Sequence, residues 1–268
     1  MGARRFKYVK KKNGQPDEYW ISKSDFKEFN SLLLGLGDIS KHRKSVDALA
    51  AIFDLQGFTS FCDQRDAHLE VPTYVGSFID WLFERISKGA VREEDGQQLA
   101  DRQQLALWFE LPFFAKFLGD GLLFLWDAES LSGEAKWNLV SSLDIICSDY
   151  STEFLPAIRR EFTKPPRRLR CGIARGQITA IGEEKDFVGL CINVASRLQK
   201  LEGVSERVHF SFAFTKKGFP LQAFDEGWRE HYRLIKIPIR GVEKEELVYV
   251  LKGEYNLLTE DDQKRFSP

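Results

Sequence analysis

The chain has 268 residues, of which 43% are apolar and 29% charged, with a formal net charge of −1. The apolar share supports a sizeable core and excludes wholesale disorder, and the near-neutral charge gives no general pull toward nucleic acid or an anionic membrane. No apolar run approaches the roughly 20 residues that a bilayer span needs.

Residues 1–45 read as an extension. "MGARRFKYVKKK" is basic, with six Lys or Arg in the first 14 residues, but lacks the apolar stretch of a signal peptide. It begins Met-Gly, yet Phe6 stands where a myristoylation signal has Ser or Thr. "SKSDFKEFNSLLLGLGD" has serine cap candidates and ends on Gly35 and Gly37, which predicts a short helix with Phe26, Phe29 and Leu33 on one face. "ISKHRKS" is a linker. The main domain is expected over residues 46–252, with a tail at 253–268.

Residues 46–54 predict a buried strand that ends on the carboxylate of Asp54. A helix follows from Thr59, interrupted near Pro72 and resuming over 75–86. "SKGAVREEDGQQLADRQQ" is a polar loop or exposed helix. "LPFFAKFLGDGLLFLWD" sets two apolar runs around a Gly-Asp-Gly turn, which is hairpin chemistry. A long helix spans about 133–162, stopped by Pro165 and Pro166. "RRLRCGIARGQITAIGEEKDFVG" predicts two strands joined near Gly176, and "LCINVASRLQKLEG" a helix with Gly203 beyond its end. Late strands fall at 208–212, 233–239 and 246–251. This order points to an α+β fold, a mixed sheet with helices gathered on one face. The four cysteines (Cys62, Cys147, Cys171, Cys191) and four histidines match no metal or redox spacing. The cysteines read as reduced core thiols of a cytoplasmic protein.

Asp54 at a strand end and Asp120 between glycines each read, singly, as turn chemistry. If the first strand neighbours the hairpin, the two carboxylates converge. Carboxylates that meet repel, and need a shared proton or a cation. Hard oxygen ligands suit Mg²⁺ or Mn²⁺, which bind phosphate oxygens at the same time. "LQGFT" adds flexible backbone and a helix start, whose amides are a ready phosphate site. Asn193 and Arg197, four apart, project from one helix face beside an apolar stripe of Ile192, Ala195 and Leu198. They read either as an ordinary boundary pair or as a grip on ribose and phosphate; the permanent planar charge of arginine suits an oxyanion at a transferring phosphorus.

Three blocks in order, "FDLQGFTSF", "KFLGDGLLF" and "DFVGLCINVASR", resemble the catalytic domain of class III nucleotidyl (adenylyl and guanylyl) cyclases over roughly residues 46–252. The resemblance implies a ferredoxin-like, βαββαβ-type mixed sheet. It implies Asp54 and Asp120, with the Leu55 carbonyl, as ligands of two divalent cations (Mn²⁺ or Mg²⁺), and Gly57, Phe58 and Thr59 as the phosphate cradle. Lys116 and Asp186 take the base-reading positions, Asn193 the ribose-orienting one and Arg197 the transition-state one. "IRGVEKEELVYVL" is similar to the turn that offers a basic residue to the triphosphate, with Arg240 as that residue and Lys244 as the other candidate. The implied assembly is a head-to-tail homodimer with shared active sites. The implied reaction is conversion of a nucleoside triphosphate to its 3′,5′-cyclic nucleotide plus pyrophosphate, with no His or Cys nucleophile.

Lys116 with Asp186 is the pair associated with adenine, and it also suits the edge of uracil or cytosine; guanylyl cyclases usually carry Glu and Cys there. Phe117 and Phe187 beside them read as core. The 66-residue interval from Asp54 to Asp120, the short basic extension and the absence of a sensor, receiver or membrane domain make the chain most similar to the pyrimidine cyclases of bacterial anti-phage (Pycsar) defence. That resemblance implies UTP as substrate and cUMP as product, acting on a separate cyclic-nucleotide-responsive effector, with cCMP or cAMP synthesis as alternatives. A non-enzyme alternative is a degenerate nucleotide-binding dimerisation module; such modules typically lose a metal Asp or the Arg, and Asp54, Asp120, Asn193 and Arg197 all stand. Nucleic-acid partners are not expected.

Overall fold

The computed structural model describes residues 9–11, 18–20, 45–91, 107–182, 185–201, 209–219, 226–239, 242 and 245–267. The helix expected within 22–38, the linker after it, most of the polar 88–105 stretch, and both Arg240 and Lys244 lie outside the described residues. The chain divides into two units: Met1–Val46 with Gln177–Gly189, and Asp47–Gly176 with Leu190–Pro268.

In the smaller unit, β1 (Val9–Lys11) pairs antiparallel with β2 (Glu18–Trp20). The end of a long strand, β6 (Arg168–Ile181), pairs antiparallel with β7 (Asp186–Gly189). Ser45 and Thr179 share a hydroxyl hydrogen bond of 3.2 Å. The two strands expected to join near Gly176 are one strand through that point. The turn comes instead after Ile181, where Gly182 takes a φ of 59° that a side chain would resist.

The larger unit is built on β3 (Ser45–Gln56), followed by the short helix α1 (Phe58–Cys62) and the long helix α2 (Ala67–Ala90). The strands β4 (Phe114–Phe117) and β5 (Gly121–Asp127) form the expected hairpin. Helix α3 (Gly133–Asp149) runs into a π-helical turn (Tyr150–Phe154) and α4 (Leu155–Ile158) before the prolines. After β6 come α5 (Leu190–Leu198), β8 (Phe212–Thr215), α6 (Glu226–His231), β9 (Tyr232–Ile237) and β10 (Glu246–Leu251). The strand order is β4-β5-β3-β6-β8-β10-β9. The β6–β8 pair is parallel while β3–β5, β8–β10 and β9–β10 are antiparallel, so the sheet is mixed as expected.

Alternation along the strands assigns the faces. Leu49, Ala51, Phe53 and Leu55 of β3 and Leu169, Cys171 and Ile173 of β6 join a core with Tyr74, Phe78, Leu82 and Ile86 of α2 and Val140, Leu143 and Cys147 of α3. Gly172 points to the other face, where an added Cβ would run into the Ala195 carbonyl and the Gln199 amide. Helix α5 therefore crosses the sheet opposite α2 and α3. Covered on both sides, β3 reads as a continuous apolar run rather than an alternating one.

Several details differ from the sequence expectation. Strand β3 does not stop at Asp54 but runs to Gln56. Helix α2 passes through Pro72 unbroken, and the interruption falls before Ala67. Proline removes one N–H near the helix start, and the buried Tyr74, Phe78 and Leu82 beyond it outweigh that loss. Cys62 is exposed whereas the other three cysteines are buried, because Phe61 takes the core position at the end of α1. Within 253–268, read from the sequence as a tail, lie most of α7 (Lys252–Tyr255) and all of α8 (Glu260–Arg265), which bury Tyr255, Leu258 and Phe266. No helix among the described residues is long and apolar enough to cross a membrane.

Gly121 opens β5 directly opposite Asp54, and a Cβ there would collide with the Phe53 carbonyl. Backbone cannot step aside as a side chain can. Gly121→Ala is therefore expected to destabilise the protein by about 2–3 kcal/mol, read as a lower urea midpoint at unchanged slope.

Candidate active site

The end of β3 and the tip of the β4–β5 hairpin are tied together by backbone. Asp54 pairs in register with Gly121, and the Leu55 N–H donates to the Asp120 carbonyl at 2.9 Å. Backbone thus brings the two aspartates to one strand end, where the charge of Asp120 acts on the Asp54 carboxyl. Asp54 is 3% exposed.

The partner that holds Asp54 is one the sequence reading missed. Arg170, 8% exposed, donates to Asp54 Oδ2 through Nε at 3.1 Å and Nη2 at 2.5 Å. Arg170 points to the α5 face because it is two residues before Gly172 on β6. A signal was present: Arg170 is the one charge within the otherwise apolar stretch Leu169–Ala174 of the strand, which implies a buried carboxylate partner. Burial pushes the Asp54 carboxyl above the usual range and Asp120 adds to this, outweighing the opposing pull of Arg170 and of Lys200. Lys200, just beyond α5, was likewise not singled out from the sequence.

Beside Asp54 the chain turns at Gly57, whose φ of 93° is left-handed and whose position as cap of α1 carries no side-chain hydrogen bond. Its carbonyl takes the Phe61 N–H at 3.0 Å, so the Phe58 and Thr59 N–H groups at the helix start have no intrahelical acceptor. Gly57 and Thr59 are exposed. A helix of five residues has little dipole, so these amides act as individual donors.

Lys116 faces the same side of the sheet as Asp54: it pairs with Leu123, which pairs with Ile52, two residues before Asp54. Lys116 is half-buried. Phe117, expected in the core, is 44% exposed because β4 ends the strand order and no further strand among the described residues covers it. Asp186 opens β7 in the smaller unit, its Oδ1 accepting from the Phe187 N–H at 2.9 Å; Phe187 is half-buried.

On α5, Cys191, Val194, Ala195 and Leu198 are buried, so Asn193 and Arg197 share the outward face, as their spacing predicted. Both are exposed, and neither side chain has a hydrogen-bond or ion-pair partner among the described residues.

The donor set fits a divalent cation. Asp54 Oδ1 has no partner among the described residues, while Oδ2 is taken by Arg170. Asp120 supplies a second carboxylate, and the Leu55 carbonyl lies on the same strand end. Among the described residues no three or more His, Cys, Asp or Glu side chains gather into a closed metal cage. A cation on Asp54 and Asp120 would therefore keep open positions for phosphate oxygens, the pattern of Mg²⁺ and Mn²⁺ sites that serve a triphosphate.

No family model matches the chain, and no curated protein does. Solved structures match it. The guanylyl cyclase Cya2 aligns at 15% identity and a TM-score of 0.55, over 79% of this chain and 94% of that one. The adenylyl cyclase CyaB from P. aeruginosa aligns at 14% identity and a TM-score of 0.51, over 79% of this chain and 96% of that one. At such identities the likeness speaks for architecture, and the architecture of this chain is that of class III cyclase domain structures.

Proposed function

We propose that the protein is a nucleotide cyclase that converts a nucleoside triphosphate to the 3′,5′-cyclic nucleotide and pyrophosphate. The observation that carries the reading is the convergence of Asp54 and Asp120 at one backbone-tied strand end, beside the open amides of the Gly57 turn. When bound, Mn²⁺ or Mg²⁺ on Asp54, Asp120 and the Leu55 carbonyl supplies Lewis acidity and lowers the pKa of the ribose 3′-hydroxyl.

The chain's own residues do the rest. The Phe58 and Thr59 amides hold phosphate oxygens. Arg170 keeps Asp54 oriented and offsets its charge inside the sheet. The 3′-oxygen forms its bond to the α-phosphorus, the bond from that phosphorus to the pyrophosphate oxygen breaks, and the hydroxyl proton passes to water. Asn193 orients the ribose, and Arg197 offsets charge growing on the phosphoryl oxygens. The exposure of Asn193 and Arg197, with no partner in their own chain among the described residues, supports a homodimer in which each serves the other chain's site.

Lys116 and Asp186 offer a donor and an acceptor to the base. We assign UTP as the preferred substrate and cUMP as product, with CTP and ATP as the next candidates. The 66-residue interval from Asp54 to Asp120 and the short basic extension, which resemble those of the pyrimidine cyclases, support a role as second-messenger synthase in anti-phage defence, acting on a separate effector. The test is incubation of the purified protein with ATP, GTP, CTP and UTP in competition, with Mn²⁺, and identification of the product. Cyclic UMP and pyrophosphate are expected. Cyclic AMP or CMP as the main product reassigns the base, and no pyrophosphate from any of the four replaces the enzyme with a nucleotide-binding dimerisation module.

A further inference from the structure

The larger unit contains a cavity of about 340 Å³ between the end of α3, the start of β6, the turn into β8 and the end of β10. Two carboxylates line it. Asp144 on α3 is 7% exposed. Its Oδ2 accepts from the Tyr232 hydroxyl at 2.9 Å and is 3.2 Å from His231 Nε2, while its Oδ1 has no partner among the described residues. Glu254 on α7 is held by Ser211, accepting from its hydroxyl at 2.7 Å and its N–H at 2.9 Å. Burial pushes both carboxyls above the usual range, and the charge of Asp144 pushes Glu254 further. The positive groups acting on the pair are His231 on Asp144 and Arg168 on Glu254. Arg168 is exposed, so its charge is spent partly on solvent.

Cys147, Arg168, His209 and Ser211 also line the cavity, and the rest of the lining is of two kinds. Ser148, Ser151 and Thr152 bring hydroxyls from α3 and the π-helical turn, and Leu169, Leu251 and Leu257 bring apolar surface. An anion would meet two carboxylates. A bare metal ion would lack ligands, since no three-residue metal group occurs among the described residues. An ammonium group on a short alkyl chain meets both kinds of lining: carboxylate and hydroxyl oxygens accept its N–H donors, and the leucines cover its methylenes.

We propose that this cavity binds a small aliphatic amine, with the ammonium group on Asp144 and Glu254 and the alkyl chain along Leu169, Leu251 and Leu257. The site is separate from Asp54 and Asp120, and its existence does not depend on the cyclase reading. It borders that site through the chain: the Tyr150 hydroxyl of the π-helical turn donates to the Pro166 carbonyl at 2.6 Å, and the Arg168–Leu169 wall continues directly into Arg170, which holds Asp54.

The experiment uses 1,4-diaminobutane as the probe and thermal unfolding of the purified full chain as the readout. NaCl at matched ionic strength and 1,4-butanediol, the uncharged analogue, are the controls. The diamine is expected to raise Tm by roughly 3 °C at ten times its Kd, with neither control doing so. Asp144→Asn keeps an acceptor for Tyr232 but removes the charge, and Ser151→Trp at an exposed position fills the recess; each is expected to weaken diamine binding at least tenfold by calorimetry. An equal shift from NaCl or butanediol, no shift at all, or full diamine binding retained by Ser151→Trp would overturn the proposal. If Asp144→Asn fails to fold, Ser151→Trp decides alone. Because the readout is binding, inactivity toward all four nucleotides would leave this result standing on its own.

Discussion

Asp120→Ala is expected to lower kcat by about three orders of magnitude or more while leaving the unfolding midpoint close to that of the parent. The side chain of Asp120 has no hydrogen-bond or ion-pair partner to lose among the described residues, and its contact with β3 is made by its backbone carbonyl to the Leu55 N–H. Asp54→Ala is expected to be equally inactive but for two reasons at once. It removes a carboxylate and also strands Arg170, whose side chain is 10% exposed and donates twice to Asp54. A buried guanidinium left without its partner costs about 3–5 kcal/mol. The two variants thus separate chemistry from folding. Pyrophosphate release and urea denaturation, run on both, check the difference. A further variant, Asp54→Ala with Arg170→Met, should regain stability without regaining turnover. If Asp120→Ala kept kcat within tenfold of the parent, the paired-carboxylate reading would fail.

Arg197→Ala is expected to reduce kcat by about 10²–10³ with KM little changed, since the charge it answers develops only in the transition state. Stability should hardly move, because the side chain is exposed and unpaired among the described residues. Mixing Asp120→Ala with Arg197→Ala then tests whether sites are shared. In a shared-site homodimer, each mixed dimer has one site with both lesions and one with neither. Free exchange makes half of the dimers mixed, so activity should recover to about one quarter of the parent level. Mixed dimers demonstrated by differential tags, yet no more active than either parent mutant, would refute the shared site.

Much of the candidate site could be read before any fold was known, for reasons of local chemistry. A carboxylate closing an apolar run, a Gly-Asp-Gly turn, and an Asn and Arg four apart are patterns held within a few residues. The hairpin, the outward face of α5 and the last two strands came out as those patterns imply. Errors arose where neighbours outside the window decided. Pro72 looked like a break, but aromatic side chains beyond it hold α2 together. Gly176 looked like a turn, but its backbone is extended and the left-handed residue is Gly182. Phe117 looked like core, but an edge strand leaves it 44% exposed.

The amino-acid sequence by itself determined the mixed α+β plan, the two aspartates and the Asn–Arg pair, because apolar periodicity and turn chemistry act over a few residues. Only the tertiary structure decided what keeps Asp54 stable inside the sheet. Arg170 lies 116 residues away along the chain, and no spacing rule links the two. They meet because β6 lies beside β3, and because the absence of a side chain at Gly172 lets α5 cross the same face. A buried charge takes its meaning from whichever opposite charge the fold brings to it.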